Sequence, residues 1–544
     1  MIERFLDSHQ LIISTLSPVH IGCGEEYDPT QYLMDEGVFY RVDPTQAIAT
    51  DKDRDELLQI VDGASGDAGI KRIQTFFHGK RDLLIAKSTR RMPVGTGVQA
   101  FYDKRIGKTV QHDTRAINNL EIMRTAYVHG DETPILPGSS LKGAIRTALL
   151  DGQNMGKPLD RPSDAEKLDW KKLFLLSRTL ADCLPQEFER DPMRMIRLGD
   201  AQSTGEIAEI YFALNLKLSG SAGDGPSQTL ECLSPMALEA FRGDMALLDP
   251  KQARLFADQL EKEKRKKVLP REDLVWGRSH VVKQCNAFYR PHLLRDFALL
   301  GIMDAQWSKT VQQSVEGGGL HRLLNSGQAM LLRVGRHSGA ESVTLNGVRH
   351  IYQPQSKKWV DKPSTVWLAG RDVQQQRDLL PFGWLLVEFD HPRRCPLAES
   401  APELVKLAHR FRQDHATRVK DSDDRMAALR AKQEQAEQAA MEATARQAAQ
   451  AAEAAAKEQR LAAMSSEQRA IEEFREKICK VAGQQPYGGS LQNDAGKLKK
   501  QAEAEGWSTD NKAALAELIR NEMRPKIKGM DDKKLNAILV GLLP

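Results

Sequence analysis

From Ser422 to Ala463 the chain is mainly Ala, Gln, Glu, Lys and Arg and contains neither Gly nor Pro. A run of strong helix formers without a breaker has one regular conformation open to it, so this stretch predicts a single long helix of about 60 Å. Its large apolar residues, Met426, Leu429, Met441 and Leu461, are too sparse for a heptad seam, which points to a solvated spacer in preference to a strong coiled coil. The run therefore divides the chain. Before it, Gly and Pro punctuate short apolar runs; after it, Ser465-Ser-Glu-Gln468 has the form of a capping box, and Ile471, Phe474 and Ile478, then Leu515, Leu518 and Ile519, recur at helical spacing. That pattern predicts a small helical bundle over 465–544.

At 544 residues with 41% apolar side chains, the chain has material for roughly two to four domains. The six cysteines, Cys23, Cys183, Cys232, Cys285, Cys395 and Cys479, include no C-x-x-C pair, as expected of reduced thiols and not of a disulfide framework. No apolar run approaches a membrane span, and Met1-Ile-Glu-Arg-Phe-Leu-Asp7 lacks the core of a secretory leader, so a cytoplasmic protein without membrane contact is expected. His280, Cys285 and His292 fit no zinc spacing, and no cofactor or metal is expected.

Ahead of the long helix, residues 9–21 read as a strand ending in the loop Gly22-Cys23-Gly24, and Tyr32–Val42 as a hairpin turning at Asp35-Glu36-Gly37. The whole chain carries a net charge of +4, yet residues 71–115 hold eleven Lys/Arg against three Asp, a local +8. Phe76, Phe77, Phe101 and Tyr102 lie among those cations. Aromatic faces between cations suit stacked bases and a tracked phosphate backbone, and a charged surface over ordinary core aromatics would give the same pattern. From 160 to 300 the pattern is mostly helical, with a loop at 220–226 and a strand within Glu206–Leu218. Ala329–Val334 predicts a strand entering the loop Gly335-Arg336-His337-Ser338-Gly339, and Trp367-Leu368 and Phe382–Phe389 predict closing strands. The loop offers close backbone approach and several N–H donors; it lacks the G-K-[ST] ending of a nucleotide-hydrolysing P-loop.

The segment Pro137-Gly-Ser-Ser-Leu-Lys-Gly-Ala-Ile-Arg-Thr147 combines a turn, a helix start that Ser139 or Ser140 can cap, and two cations, Lys142 and Arg146, on one face. Leu141, Ile145 and Leu149 form the opposite, core-facing stripe.

Three stations, Leu16-Ser-Pro-Val-His-Ile-Gly-Cys-Gly24, Ile135–Thr147 and Arg333-Val-Gly-Arg-His-Ser-Gly339, together resemble motifs of the RAMP superfamily of CRISPR-associated proteins, and most of all the type III-A (Csm) effector subunit at the crRNA 3′ end, over residues 8–395. The resemblance implies an α+β chain of two RRM-like (ferredoxin-like) modules with helical insertions. The expected division is 1–160 for the first module, 161–300 for a mainly helical insertion, 301–400 for the second module, 401–464 for the long helix and 465–544 for the bundle. By the same resemblance the chain is a non-catalytic subunit that binds crRNA, caps its filament and supports its maturation. The implied partners are crRNA, other effector subunits, especially the repeated backbone RAMP subunit, and host nucleases that trim the RNA. The residues that match RNA-side motifs are His20, Gly22 and Gly24; Gly138, Ser139, Ser140, Lys142 and Arg146; and Gly335, Arg336, His337, Ser338 and Gly339. The last loop departs from the fuller Gly-x-Gly run, and residues beyond about 400 have no counterpart in the family core. An alternative is a metal-independent endoribonuclease in which His20 moves the proton. Such a site also needs a second proton-transfer group, and none can be assigned from sequence. Asp200, beside Gly199, reads as a strand-end turn.

Overall fold

The structure, a computed structural model, describes residues 6–543 except 64–66, 107–109, 113–114, 118–119, 131, 158–190, 219–227, 263–274, 300, 348, 350 and 354–356. The chain forms two compact units, residues 1–432 and 433–544, each with its own apolar core. Cys183 and the loop at 220–226 lie outside the described residues.

The first unit is α+β and is built on two mainly antiparallel sheets. One runs in the order Ala329–Arg333, Trp384–Phe389, Leu6–Thr15, Phe241–Leu248, Ala201–Ser203, Ile135–Leu136, with Ile196–Leu198 also on Phe241–Leu248. Leu11 sits opposite Gly243 on one side and Phe389 on the other, and Ile13 opposite Phe241 and Val387. The strand is buried on both faces from Leu11 to Thr15, which is why alternation fades there. Its two polar residues are satisfied: the Thr15 hydroxyl donates to Ser234 O at 2.6 Å, and Ser14 Oγ accepts the Glu239 N–H at 2.7 Å. The second sheet runs Leu380–Pro381, Thr365–Gly370, Ala208–Lys217, Gln228–Leu233, Ile122–Thr125, Gly22–Tyr27, parallel only where Gln228–Leu233 meets Ile122–Thr125.

Several local expectations are met and others are redrawn. Tyr32–Asp35 and Val38–Arg41 form the hairpin about Glu36-Gly37, extended by Arg90–Pro93. The first strand, however, stops at Thr15, and Gly22 and Gly24 belong to the next strand, Gly22–Tyr27, whose register slips between Gly22 and Glu26. Glycine without a side chain to pack leaves such an irregularity open. The strand expected within Glu206–Leu218 is present as Ala208–Lys217, and the expectation of an otherwise mainly helical span over 161–300 gives way between Ile196 and Leu248 to four more strands among the described residues, because long-range pairing such as that with Leu6–Thr15 overrides local helical periodicity.

The predicted long helix is present and runs from Pro402 to Ala463, within the 401–464 segment expected for it and well ahead of the Ala-rich run that starts at Ser422. Its first part is no spacer. Leu404, Leu407 and Ala408 join the main core, and Met426 and Leu429 pack on the Tyr40, Phe76 and Phe77 cluster. Arginines fasten the same stretch: Arg410 to Asp304 at 2.9 Å, Arg425 to Glu36 at 2.8 Å and to Asp35, Arg430 to Ala86 O at 2.7 Å. From Gln433 to Arg460 nearly every side chain is exposed. In the second unit, Ser465 and Gln468 make the predicted capping box, and the helices Ser466–Lys480, Ser490–Ala504, Thr509–Leu518 and Asp532–Leu539 share a core around Phe474, Trp507 and Leu515. Among the described residues, no helix is long and apolar enough to cross a membrane.

Candidate nucleic-acid interface

The loops at the two ends of the first unit meet. Ser17 Oγ accepts the Trp384 N–H at 3.0 Å, Pro18 O accepts the Gly383 N–H at 2.8 Å, and His20 O accepts the Arg336 N–H at 2.8 Å. Gly335 makes that approach possible. Its φ is +81°, and a Cβ there would lie 2.3 Å from His20 O, so any other residue would push the loops apart.

Beneath this junction lies a buried polar network. His20 is 1% exposed, and its Nδ1 is 2.7 Å from Glu231 O. The Glu231 carboxylate pairs with Arg90 at 2.6 Å and accepts the Thr125 N–H at 3.2 Å. Burial pushes the Glu231 carboxyl up, and Arg90 and Arg124 oppose that shift. Burial holds His20 below its ordinary value, so it is neutral near pH 7. Its Nε2 is buried without a hydrogen-bond partner, and a Cβ on Gly22 would sit 3.4 Å from that nitrogen.

What faces solvent is the rim. Gly22, Cys23, Gly24, Arg336 and Gly339 are exposed. The Arg336 guanidinium rests 3.0 Å from Met123 Sδ. His337 is half-buried, stacked on Trp367 at 4.3 Å and 3.1 Å from Gln228 Oε1; burial lowers its pKa to about 4. Ser338 is buried and its hydroxyl donates to Gly335 O at 2.9 Å, closing the turn.

The central station is joined to this rim through the backbone. Ile21 O accepts the Ala126 N–H at 2.7 Å, and Ala126 O accepts the Ile135 N–H at 3.0 Å, two residues before Pro137. The helix Gly138–Asn154 then follows, with Leu141, Ile145 and Leu149 buried as the stripe predicts. The capping expectation is corrected: neither Ser139 nor Ser140 caps, and the Gly138 N–H instead donates to Asp200 Oδ1 at 2.7 Å. Asp200 was legible only as a turn residue, since its partner lies 62 positions away. Gly138 is required by contact, because a Cβ there would lie 2.5 Å from Leu198 O.

The two cations of this helix are not equivalent. Arg146 pairs with Asp191 at 2.8 Å. Lys142 is half-buried, and burial first, with Arg146 and Arg197 nearby, lowers its pKa against the pull of Asp191. Ser139 is exposed beside them.

The basic, aromatic stretch 71–115 is redrawn most. Phe76, Phe77 and Tyr102 are core residues, and Phe101 lies between Phe212 and the Arg105 guanidinium, 4.0 Å away. They are spent on packing and offer no stacking face. Arg90 is paired with Glu231, Arg91 with Asp423 at 2.6 Å, and Lys80 with Asp53. The side chains of Lys71, Lys108 and Arg115 lie outside the described residues. Among the described residues, no group of three or more His, Cys, Asp or Glu is placed to hold a metal ion.

The profile of the RAMP superfamily matches residues 12–219, from the first strand past the glycine rim and the Gly138 helix. Over those residues the chain is similar to the RAMP superfamily. The RAMP match stops before the Gly335 loop, which the fold nonetheless seats on His20. Over 135 residues the chain is 30% identical to the CRISPR system Cms protein Csm5 of Methanocaldococcus jannaschii, and that stretch spans 25% of this chain and 28% of the relative. Two solved structures are similar across 70% of this chain and all of theirs. One is a chain of a Csm-crRNA-target RNA ternary complex of a type III-A CRISPR-Cas system, with TM-score 0.42 and 17% identity. The other is Csm5 of T. onnurineus, with TM-score 0.38 and 19% identity.

Proposed function

We propose that the chain is a non-catalytic, crRNA-binding subunit of a type III-A CRISPR effector complex, seated at the 3′ end of the crRNA and supporting its maturation and antiviral defence in the cytoplasm. The observation that carries this reading is the junction of Gly335 and Arg336 with His20. It sets an exposed arginine on a rim that includes the bare backbone of Gly22, Gly24 and Gly339, as a phosphate backbone requires for close approach. The RAMP match and the Csm5 relative support it. In this reading the RNA face comprises Gly22, Gly24, Ser139, Ser140, Lys142, Arg146, Arg336, His337 and Gly339, and His20, Gly138 and Ser338 hold its backbone in place. We further propose two RRM-like modules with boundaries near 160, 300 and 400, a backbone RAMP subunit as neighbour, and host nucleases as the trimming partners.

The test is a pull-down of tagged protein from cells carrying its CRISPR array, with sequencing of the bound RNA. Array-derived RNA of defined 3′ length should co-purify, and Lys142→Ala with Arg336→Ala should reduce it at least about fivefold with no change in base preference. Full retention of crRNA by the double variant would remove these two residues from the interface. Cleavage of repeat RNA by the purified protein in EDTA, abolished by His20→Ala, would replace the whole reading with the ribonuclease.

A further inference from the structure

The second unit has its own charge pattern, hidden by its totals. Residues 465–544 hold fourteen Lys/Arg and twelve Asp/Glu. Six of those cations, Lys480, Arg524, Lys526, Lys528, Lys533 and Lys534, fall in two short segments, 480–489 and 524–534, which contain only two acids, Asp531 and Asp532. The remainder of the tail holds eight cations against ten acids. The fold sets the two segments side by side. Gln485–Pro486 pairs in parallel with Ile527–Lys528, Lys526 Nζ donates to Val481 O at 2.8 Å, and Gln484 Nε2 donates to Pro525 O at 3.1 Å.

Both acids of this ledge are already engaged. Asp532 pairs with Arg524 at 2.7 Å, and Asp531 caps the last helix through the Lys534 N–H at 2.8 Å. Lys480, Lys528 and Lys533 are exposed. Tyr487, next to the Pro486 that pairs with Lys528, is 44% exposed, with Lys534 Nζ 4.7 Å from its ring centre. Its neighbours in sequence are the short residues Pro486, Gly488 and Gly489.

We propose that this ledge binds single-stranded nucleic acid, with Tyr487 stacking an unpaired base and Lys480, Lys528 and Lys533 following the phosphates. An exposed ring braced by a cation and flanked by short residues gains from an unpaired base. A duplex keeps its bases stacked inside and would use the lysines alone. The ledge is independent of the role given to the Gly335 loop.

The experiment uses the full chain carrying Arg336→Ala and a fluorescein-labelled 20-nucleotide oligo-U RNA, read by anisotropy, with a 4-thiouridine version for photo-cross-linking. Cross-links should map to peptides within 480–534. Tyr487→Ala should weaken binding at least about fivefold while Tyr487→Phe retains it. Lys528→Gln with Lys533→Gln should reduce the slope of log K against log salt by about 1.4. Unchanged affinity in Tyr487→Ala, cross-links confined to residues before 433, or equal affinity for a 20-base-pair duplex would each overturn the proposal. A labelled poly-glutamate 20-mer bound as tightly as oligo-U would overturn it too, in favour of an acidic protein partner.

Discussion

The basic stretch 71–115 and the Gly335–Gly339 loop present the same residue types to a reader of the sequence, and the fold uses them in opposite ways. In the first, Arg90 is neutralised by buried Glu231, Arg91 by Asp423 and Lys80 by Asp53, and three of four aromatics are core. In the second, one arginine stands exposed on a loop whose backbone is fixed by His20 and whose histidine is fixed by Trp367. A count of charges measures what a segment carries. Binding depends on what remains after folding has taken its share.

The comparison breaks most visibly at Arg90. Glu231→Ala leaves its guanidinium buried and unpaired beneath the rim, and should cost about 3–5 kcal/mol of stability in urea unfolding; a loss below 1 kcal/mol would show that the pair is not structural. Gly335→Ala should cost about 1–3 kcal/mol, from the left-handed φ and the contact with His20 O, and should lower RNA affinity as well as the unfolding midpoint.

Protonation tests the same packing. Burial lowers His292 to about 4, as it does His337, so between about pH 6.5 and 4 the unfolded chain binds protons that the folded chain refuses. Stability should therefore fall as pH drops through that window, by about 1–2 kcal/mol for each histidine between pH 7 and pH 5, with His292→Asn flattening the profile. Next in size, Arg336→Ala should weaken oligo-RNA binding about five- to tenfold, whereas Arg91→Ala should change it less than about twofold; the reverse order would restore the basic stretch as the RNA track. Asp200→Ala, which removes the acceptor at Gly138 N, should cost about 1 kcal/mol by thermal or urea melting.

Features that depend on neighbours in sequence were legible: the turn at Glu36-Gly37, the Leu141/Ile145/Leu149 stripe, the capping box at Ser465, and the long helix. Whatever depends on a distant partner was not. Asp200 caps a helix 62 residues earlier, Glu231 supports a histidine 211 residues earlier, and the arginines of the long helix reach back to Asp35 and Ala86. Nothing local to Phe76 or Tyr102 tells a core ring from a stacking platform, since both are aromatic residues among cations. Of the strands between Ile196 and Leu248, Ala208–Lys217 was legible and Phe241–Leu248 was not, since its pairing partner Leu6–Thr15 lies more than two hundred residues earlier.

The seat of Gly335 on His20 also sets an order of events. The strand Leu6–Thr15 lies between Phe241–Leu248 and Trp384–Phe389, and Gly383 and Trp384 hold the turn that follows it. A ribosome must therefore have released nearly four hundred residues before the first and last loops can touch. A nascent chain displays its N-terminal glycines long before it owns the surface they belong to, so the finished rim marks a chain made at least as far as Trp384.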